Sequence, residues 1–227
     1  MKRGILYIVW GDKIEPLLQR SMASVRQFYP DMPIEVVRGE PDPVRGLAQK
    51  AKMATQTPFE STLFLDADTV VLGNLDYAFD RGEEFGLACA ICECPWLRRY
   101  GPEAGDQIEY NTGVLFFTAK SRPVFDAWQQ LSATAPSRSR WMTTDGQLRG
   151  LEYDDQSSFA RAVRQCAFNP YVLPINYNFR PGFYRTFFSP MKIWHDPAEV
   201  PKTLAEVSAS TESGKRLVQF LQFAVRT

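Results

Sequence analysis

Along the chain, short continuous apolar runs alternate with longer stretches that carry an apolar stripe at helical spacing. Gly4 to Trp10 (GILYIVW) is a run of strand length,. Gly11-Asp12 then turns into a helix, with Asp12 and Glu15 at capping-box-like spacing and Leu17, Leu18, Met22, Val25 and Phe28 on its buried face,. Pro30 and Pro33 end this helix, and Ile34 to Arg38 (IEVVR) reads as a second strand,. Strand, helix, strand predicts a parallel sheet with right-handed crossovers. A Pro/Gly-rich link from Gly39 to Gly46 leads to a helix around Leu47 to Thr55, which carries Lys50 and Lys52. Leu63, Phe64 and Leu65 follow as an apolar run of the kind shown by a strand covered on both faces,.

The second half continues the alternation. A short helical turn follows Asn74, and Phe85 to Ile91 is another buried strand. Residues 96–106, rich in Arg, Gly and Pro, read as a loop of the type that covers active sites,. Val114 to Phe117 form a strand that Asn111, Thr112 and Gly113 introduce, and Ser121 caps a helix through Leu131,. Asp154 and Asp155 open a further helix with Phe159, Ala160 and Val163 inward, acids being favoured at its positive end,. Phe168 to Phe188 holds eight aromatics in 21 residues, interleaved with Asn176, Asn178 and Arg180, a mixture suited to carbohydrate or to covering a core,. Met191 to Asp196 is strand-like, and Ser213 to Arg226 carries an amphipathic helical pattern that would dock on the domain, join a partner or lie on a membrane surface,.

Composition narrows the function classes. The 227 residues, 44% of them hydrophobic, are expected to form one large α/β domain,. Lys plus Arg equals Asp plus Glu at 26 each, so no electrostatic surplus drives nucleic-acid binding,. The N-terminal run has six consecutive apolar residues, short of a signal-peptide core, and nothing later approaches the ~20 of a membrane span,. The expectation is a cytoplasmic protein with reduced thiols. Cys89, Cys92 and Cys94 crowd one apolar segment without a second ligand cluster and read as small buried hydrophobes,.

The chemistry concentrates at LFLDADTVVL, Leu63 to Leu72. Two carboxylates stand at the C-terminal end of an apolar strand, the end where open α/β sheets bind ligands,. In an extended backbone Asp66 and Asp68 face the same way and Ala67 the other. Between Lys52 and Arg81 every charged residue is acidic, so the local sequence offers the pair no cation and a divalent metal is the economical partner,. D-x-D-x-T after an apolar strand also suits a haloacid-dehalogenase-type phosphohydrolase with Asp66 as nucleophile. That motif belongs on the first strand of its sheet, and here two strands precede it.

The order of motifs resembles the GT-A glycosyltransferases, particularly glycosyltransferase family 8, the family of glycogenin and of bacterial galactosyltransferases. The parts are ILYIVW, a Lys 16 residues before the carboxylates (Lys50), LFLDADTVVL, NTGVLFF, Asp155-Gln156, and a late segment with Lys192 and His195. The resemblance implies Mn²⁺ or Mg²⁺ held by Asp66, Asp68 and His195, with Asp66 also near the ribose of a UDP-linked hexose. It implies donor contacts from Lys50, or from Lys52 one helical step away, and from Asn111, with Lys192 as a substitute for a diphosphate-binding lysine. Asp155 would hold sugar hydroxyls, and Gln156 would lie on the reacting face of the anomeric carbon. The implied reaction is hexose transfer to a hydroxyl acceptor with retention, although an amide is a poor nucleophile. The late H-x-x-G-x-x-K-P-W pattern of the family is absent, since Lys192 precedes His195 and Asp196-Pro197 follows it. A non-catalytic sugar-nucleotide or glycan-binding module would keep the same metal site.

Overall fold

The computed structural model describes residues 1–39, 43–92, 108–134, 140–142, 148–150, 155–183, 186–188, 190–212 and 220–222. In chain order it forms β1 (Arg3–Val9), α1 (Glu15–Phe28), β2 (Ile34–Arg38), α2 (Pro43–Lys50), α3 (Met53–Gln56), β3 (Ser61–Leu65), β4 (Thr69–Val71), α4 (Asp76–Phe85) and β5 (Leu87–Ile91). Then come β6 (Tyr110–Thr118), α5 (Arg122–Thr134), β7 (Arg140–Met142), β8 (Leu148–Gly150), α6 (Asp155–Gln165), β9 (Tyr171–Leu173), β10 (Thr186–Phe188), β11 (Ile193–His195), α7 (Lys202–Glu212) and β12 (Phe220–Gln222).

Six strands make the central sheet in the order β2-β1-β3-β6-β5-β9. β1 runs parallel to β2 and β3, β5 runs parallel to β9, and β6 is antiparallel to both of its neighbours. The sheet is therefore mixed and mostly parallel, as the alternating sequence pattern predicts. Its strands sort residues by parity. Ile5, Tyr7, Val9, Leu63 and Leu65 pack on one face with Leu18 and Val25 of α1 and Phe79 of α4. Leu6, Ile8, Phe64, Leu115 and Phe117 pack on the other with Met53, Phe125, Trp128 and Phe159. Every residue of β3 and β6 is buried, which explains why their stretches Leu63 to Leu65 and Val114 to Phe117 read as apolar runs,. A third, smaller cluster of Phe179, Met191, Trp194 and Leu204 lies under the two-stranded sheet that β4 makes with β11.

Several boundaries differ from the sequence pattern for local reasons. α1 begins at Glu15 after a 3₁₀ turn over Asp12–Ile14, and its cap position is Ile14 with no side-chain cap bond. Pro16, which has no N–H to satisfy, suits the first turn without a capping side chain,. The helix expected over Leu47 to Thr55 is two helices, α2 and α3, separated at Ala51-Lys52. The turn after Asn74 extends into ten-residue α4, which takes Phe85 from the expected strand and stops at Gly86 in the left-handed conformation, φ 85°. Ser121 is not a helix cap. It lies in a 3₁₀ turn, its hydroxyl donates back to the Thr118 carbonyl at 2.9 Å, and α5 starts at Arg122.

The C-terminal amphipathic helix expected over residues 213–226 is also corrected. Phe220–Gln222 form strand β12, antiparallel to β10 with Phe187 opposite Leu221. Pairing with an aromatic strand overrides a helical periodicity that had no partner in the sequence window. A membrane-contacting helix is accordingly not formed at those residues, and the rest of the segment lies outside the described residues, as do residues 96–106 and Asp154. Among the described residues no helix is long and apolar enough to cross a membrane.

Candidate active site

The site forms where β3 ends beside the start of β6. The ladder pairs Leu65 with Val114, and the Asp66 N–H donates to the Gly113 carbonyl at 2.8 Å, which carries the register one step into the D-x-D turn. The turn closes through Thr69, whose backbone N–H and hydroxyl both donate to the Asp66 carbonyl, at 3.2 and 2.8 Å. Behind it, two serines interrupt the apolar stripe of α1. Ser21 bridges the Tyr7 phenol at 2.8 Å and the Thr69 hydroxyl at 3.0 Å, and the Ser24 hydroxyl accepts the Val71 N–H at 2.8 Å. Because the Thr69 hydroxyl already donates to Asp66, the chain is directed: Tyr7 donates to Ser21, and Ser21 to Thr69. Ser24→Ala would leave the buried Val71 N–H unpaired. It is expected to cost about 1–3 kcal/mol in urea unfolding; a loss below about 0.5 kcal/mol would show that this bond does not hold the turn.

His195 reaches the carboxylates from the far end of the sequence. β11 runs antiparallel to β4 with His195 opposite Thr69, and the Asp196 N–H donates to the Asp68 carbonyl at 3.0 Å. His195 Nε2 then stands 3.2 Å from Asp68 Oδ1 and 3.8 Å from Asp66 Oδ2. One ligand atom from each of Asp66, Asp68 and His195 lies within 4.8 Å of the others. The Arg20 guanidinium fixes the segment that follows, donating to the carbonyls of Asp196, Pro197 and Ala198 at 2.8–3.0 Å.

Lys50, the last residue of α2, is almost wholly buried and contacts both Asp66 oxygens, at 2.7 and 2.9 Å. It also reaches Asp155 Oδ2 at 3.3 Å, where the Thr112 hydroxyl donates at 2.7 Å. The sequence left Lys50 and Lys52 as alternatives, and the ion pairs belong to Lys50. Burial works against the Lys50 charge, but the two carboxylates more than reverse this and raise the ammonium above the ordinary lysine value,. For Asp66, burial pushes the carboxyl up against the pull of Lys50 and His195. Contact of both its oxygens with an ammonium nevertheless selects the carboxylate form. For Asp68, burial works against the charge, but with the imidazole protonated the hydrogen bond and charge of His195 outweigh it and hold the carboxyl down at about 2.

The remaining sequence candidates fall as follows. Asn111 is buried, and its side-chain oxygen accepts the Gly113 N–H at 2.8 Å, shaping the backbone beside the carboxylates. Gly113 is where the strands meet the site most closely: a Cβ there would lie 2.3 Å from His195 Cε1 and 2.7 Å from Asp66 Oδ2. Asp155 and Gln156 open α6, with the first buried and the second half-buried. Lys192 is half-buried just before β11, where its carbonyl accepts the Leu72 N–H at 2.8 Å. Asn176 and Asn178, in the segment read as suited to carbohydrate or to covering a core, make contacts within the protein. Asn176 donates to the Pro190 carbonyl at 2.7 Å, and Asn178 meets His195.

Two contributors escaped sequence reasoning: Arg20 and the Tyr7–Ser21 relay. The relay left a signal, since Ser21 and Ser24 fall on the otherwise apolar stripe of α1, whereas Thr112 was visible within the NTGVLFF motif. Beside the carboxylates lies a cavity of about 380 Å³, lined by Ile8, Val9, Trp10, Ile14, Leu17 and Leu47 on its apolar side and by Lys50, Asp66 and Asp68 on its polar side. Two carboxylates and an imidazole suit a divalent ion such as Mn²⁺ or Mg²⁺, and their ligand atoms already converge on one point,.

No protein-family model matches the chain, and no curated protein matches its sequence. Solved structures do match in fold. The galactosyltransferase LgtC, in complex with donor and acceptor sugar analogues, aligns with a TM-score of 0.56 at 13% identity over 98% of each chain. Mouse xyloside xylosyltransferase 1 aligns at 0.56 with 12% identity, over 88% of this chain and 100% of its own. A glycosyltransferase involved in glycosylation of the major capsid of PBCV-1 aligns at 0.54 with 15% identity, over 92% of this chain and 98% of its own. The class is thereby fixed at the level of architecture: the chain has the α/β fold of the GT-A glycosyltransferases. Within it, the cluster of Asp66, Asp68 and His195 at the edge of the cavity marks the candidate active site.

Proposed function

We propose that this chain is a metal-dependent glycosyltransferase of the family 8 kind, moving a hexose from a UDP-linked donor to a hydroxyl acceptor with retention of configuration. The observation that carries the reading is the convergence of Asp66, Asp68 and His195 at the edge of a cavity large enough for part of a nucleotide, on a GT-A fold,. The three residues would hold Mn²⁺ or Mg²⁺. Bound there, the cation supplies a Lewis acid that neutralises the charge developing on a departing diphosphate.

The chain's own residues do the rest. The apolar side of the cavity excludes water from the donor's nucleoside, while Lys50 anchors Asp66 and Asp155 at fixed separation. Asp155, with Oδ2 engaged by Thr112 and Lys50, is oriented to accept hydrogen bonds from sugar hydroxyls. Gln156, next in the helix, would present its amide dipole to an oxocarbenium-like centre and so stabilise positive charge without covalent attack. Lys192 is the candidate second cation for the diphosphate. A phosphohydrolase with Asp66 as nucleophile fits less well, because the fold aligns with glycosyltransferases and the D-x-D follows the third strand of the chain, not the first.

The test is thermal unfolding with UDP, GDP and their sugar conjugates, with and without Mn²⁺. At a hundredfold excess over Kd a bound ligand stabilises by ~2.7 kcal/mol. The expected result is a Mn²⁺-dependent shift with UDP or a UDP-sugar that Asp68→Ala abolishes. A shift that stays Mn²⁺-dependent in Asp68→Ala would refute the site, and stabilisation by Mg²⁺ with a phosphate mimic but by no nucleotide would favour the phosphohydrolase.

A further inference from the structure

We propose that Asn178 is a positioning residue of the cation site: its side-chain oxygen takes the Nδ1–H of His195 and so presents the bare Nε2 toward Asp68 and Asp66. The inference rests on the metal-dependent reading of the site. Asn178 Oδ1 lies 2.7 Å from His195 Nδ1, and the two residues are only 2% and 7% exposed. A neutral imidazole has one donor and one acceptor nitrogen, so a donor at Nδ1 leaves a lone pair at Nε2. That lone pair faces Asp68 Oδ1 at 3.2 Å and Asp66 Oδ2 at 3.8 Å. Three acceptors aimed at a common point form a ligand set; with the proton on the other nitrogen they would form only a hydrogen bond to Asp68.

The backbone holds this geometry from both sides. The Asn178 N–H donates to the Ile175 carbonyl, and the Phe179 N–H and carbonyl bond Ile193 and His195 across β11, at 2.8–2.9 Å. Asn178 Nδ2, by contrast, is buried and makes no hydrogen bond among the described residues. An amide kept only to satisfy the fold would pair both of its ends; this one pairs only the oxygen that meets the histidine. Acceptors that hold the far nitrogen of a metal-binding imidazole typically change metal affinity by about 10–100-fold.

His195 is the only histidine of the chain, so a ¹⁵N imidazole spectrum reports on it without assignment. In the metal-free protein at alkaline pH the expected spectrum shows Nδ1 protonated and Nε2 bare. Asn178→Leu, which removes the acceptor at similar volume, is expected to move the proton to Nε2 and to weaken Mn²⁺ binding by about 10–100-fold in calorimetry. Asn178→Asp, which keeps an oxygen in place, is expected to retain Nδ1–H and bind Mn²⁺ at least as tightly as the native protein. A purely structural asparagine would lower the stability of both variants and leave the tautomer unchanged. An Nε2–H spectrum in the native protein, or native Mn²⁺ affinity in Asn178→Leu, would overturn the proposal. If Asn178→Leu does not fold, the native spectrum and Asn178→Asp carry the decision. Failure of the native protein itself to bind Mn²⁺ would instead sink the metal-dependent reading, while the spectrum would still decide the role of Asn178.

Discussion

Gly113→Ala is expected to reduce turnover by roughly a hundredfold or more and to remove the Mn²⁺-dependent thermal shift, although it adds a single methyl group. The added carbon would sit 2.3 Å from His195 Cε1, 2.7 Å from Asp66 Oδ2 and 3.1 Å from Asn111 Oδ1, so all three neighbours would have to give way. None has much freedom. The His195 ring is held at Nδ1 by Asn178, Asp66 by both contacts with Lys50, and Asn111 by the Gly113 N–H. The strain would spread into the β3–β6 ladder at a cost of about 1–3 kcal/mol, visible in urea unfolding beside the activity assay. Native Mn²⁺ response in this variant would mean that the imidazole does not need its observed position.

The second large effect belongs to Lys50→Met. Removing the ammonium leaves Asp66 and Asp155 in a largely buried site without their internal cation. Breaking such a pair from one side costs about 3–5 kcal/mol. Because the Asp66 side chain keeps 21% of its surface in water, the lower figure is the one expected. The loss should be greatest in EDTA and smaller with saturating Mn²⁺, since a divalent ion would take over part of the charge compensation. Unfolding curves under the two conditions read the difference directly. A loss below about 1 kcal/mol in EDTA would show that water screens these carboxylates, and that Lys50 contributes nothing structural.

The central sheet was legible because covered strands leave apolar runs that need no partner to be recognised. Leu63 to Leu65 and Val114 to Phe117 are such runs, and both are fully buried. The convergence of Asp66 and Asp68 followed from the same strand geometry, and His195 was named from the resemblance. What could not be read were contacts set by tertiary neighbours alone. Nothing local distinguishes Lys50 from Lys52; the end of α2 and the helix break at Ala51-Lys52 decide it. Asn178 was visible as an amide among aromatics, but its partner lies on strand β11. The C-terminal segment misled because a three-residue strand has no periodicity of its own and is recognised only by the strand it pairs with,.

The pairing of β4 with β11 has a consequence for synthesis and refolding. It closes a loop of more than a hundred residues, joining Thr69 to His195. Contacts so distant in sequence form late, since the entropy of closure must be met before the contact stabilises anything. A nascent chain that has emerged as far as β6 already possesses both aspartates, Lys50 and most of the central sheet, but only two of the three ligand groups. Tight capture of a cation would thus wait until β11 has docked on β4, and a bound ion would act as a clasp that slows β11 from peeling away.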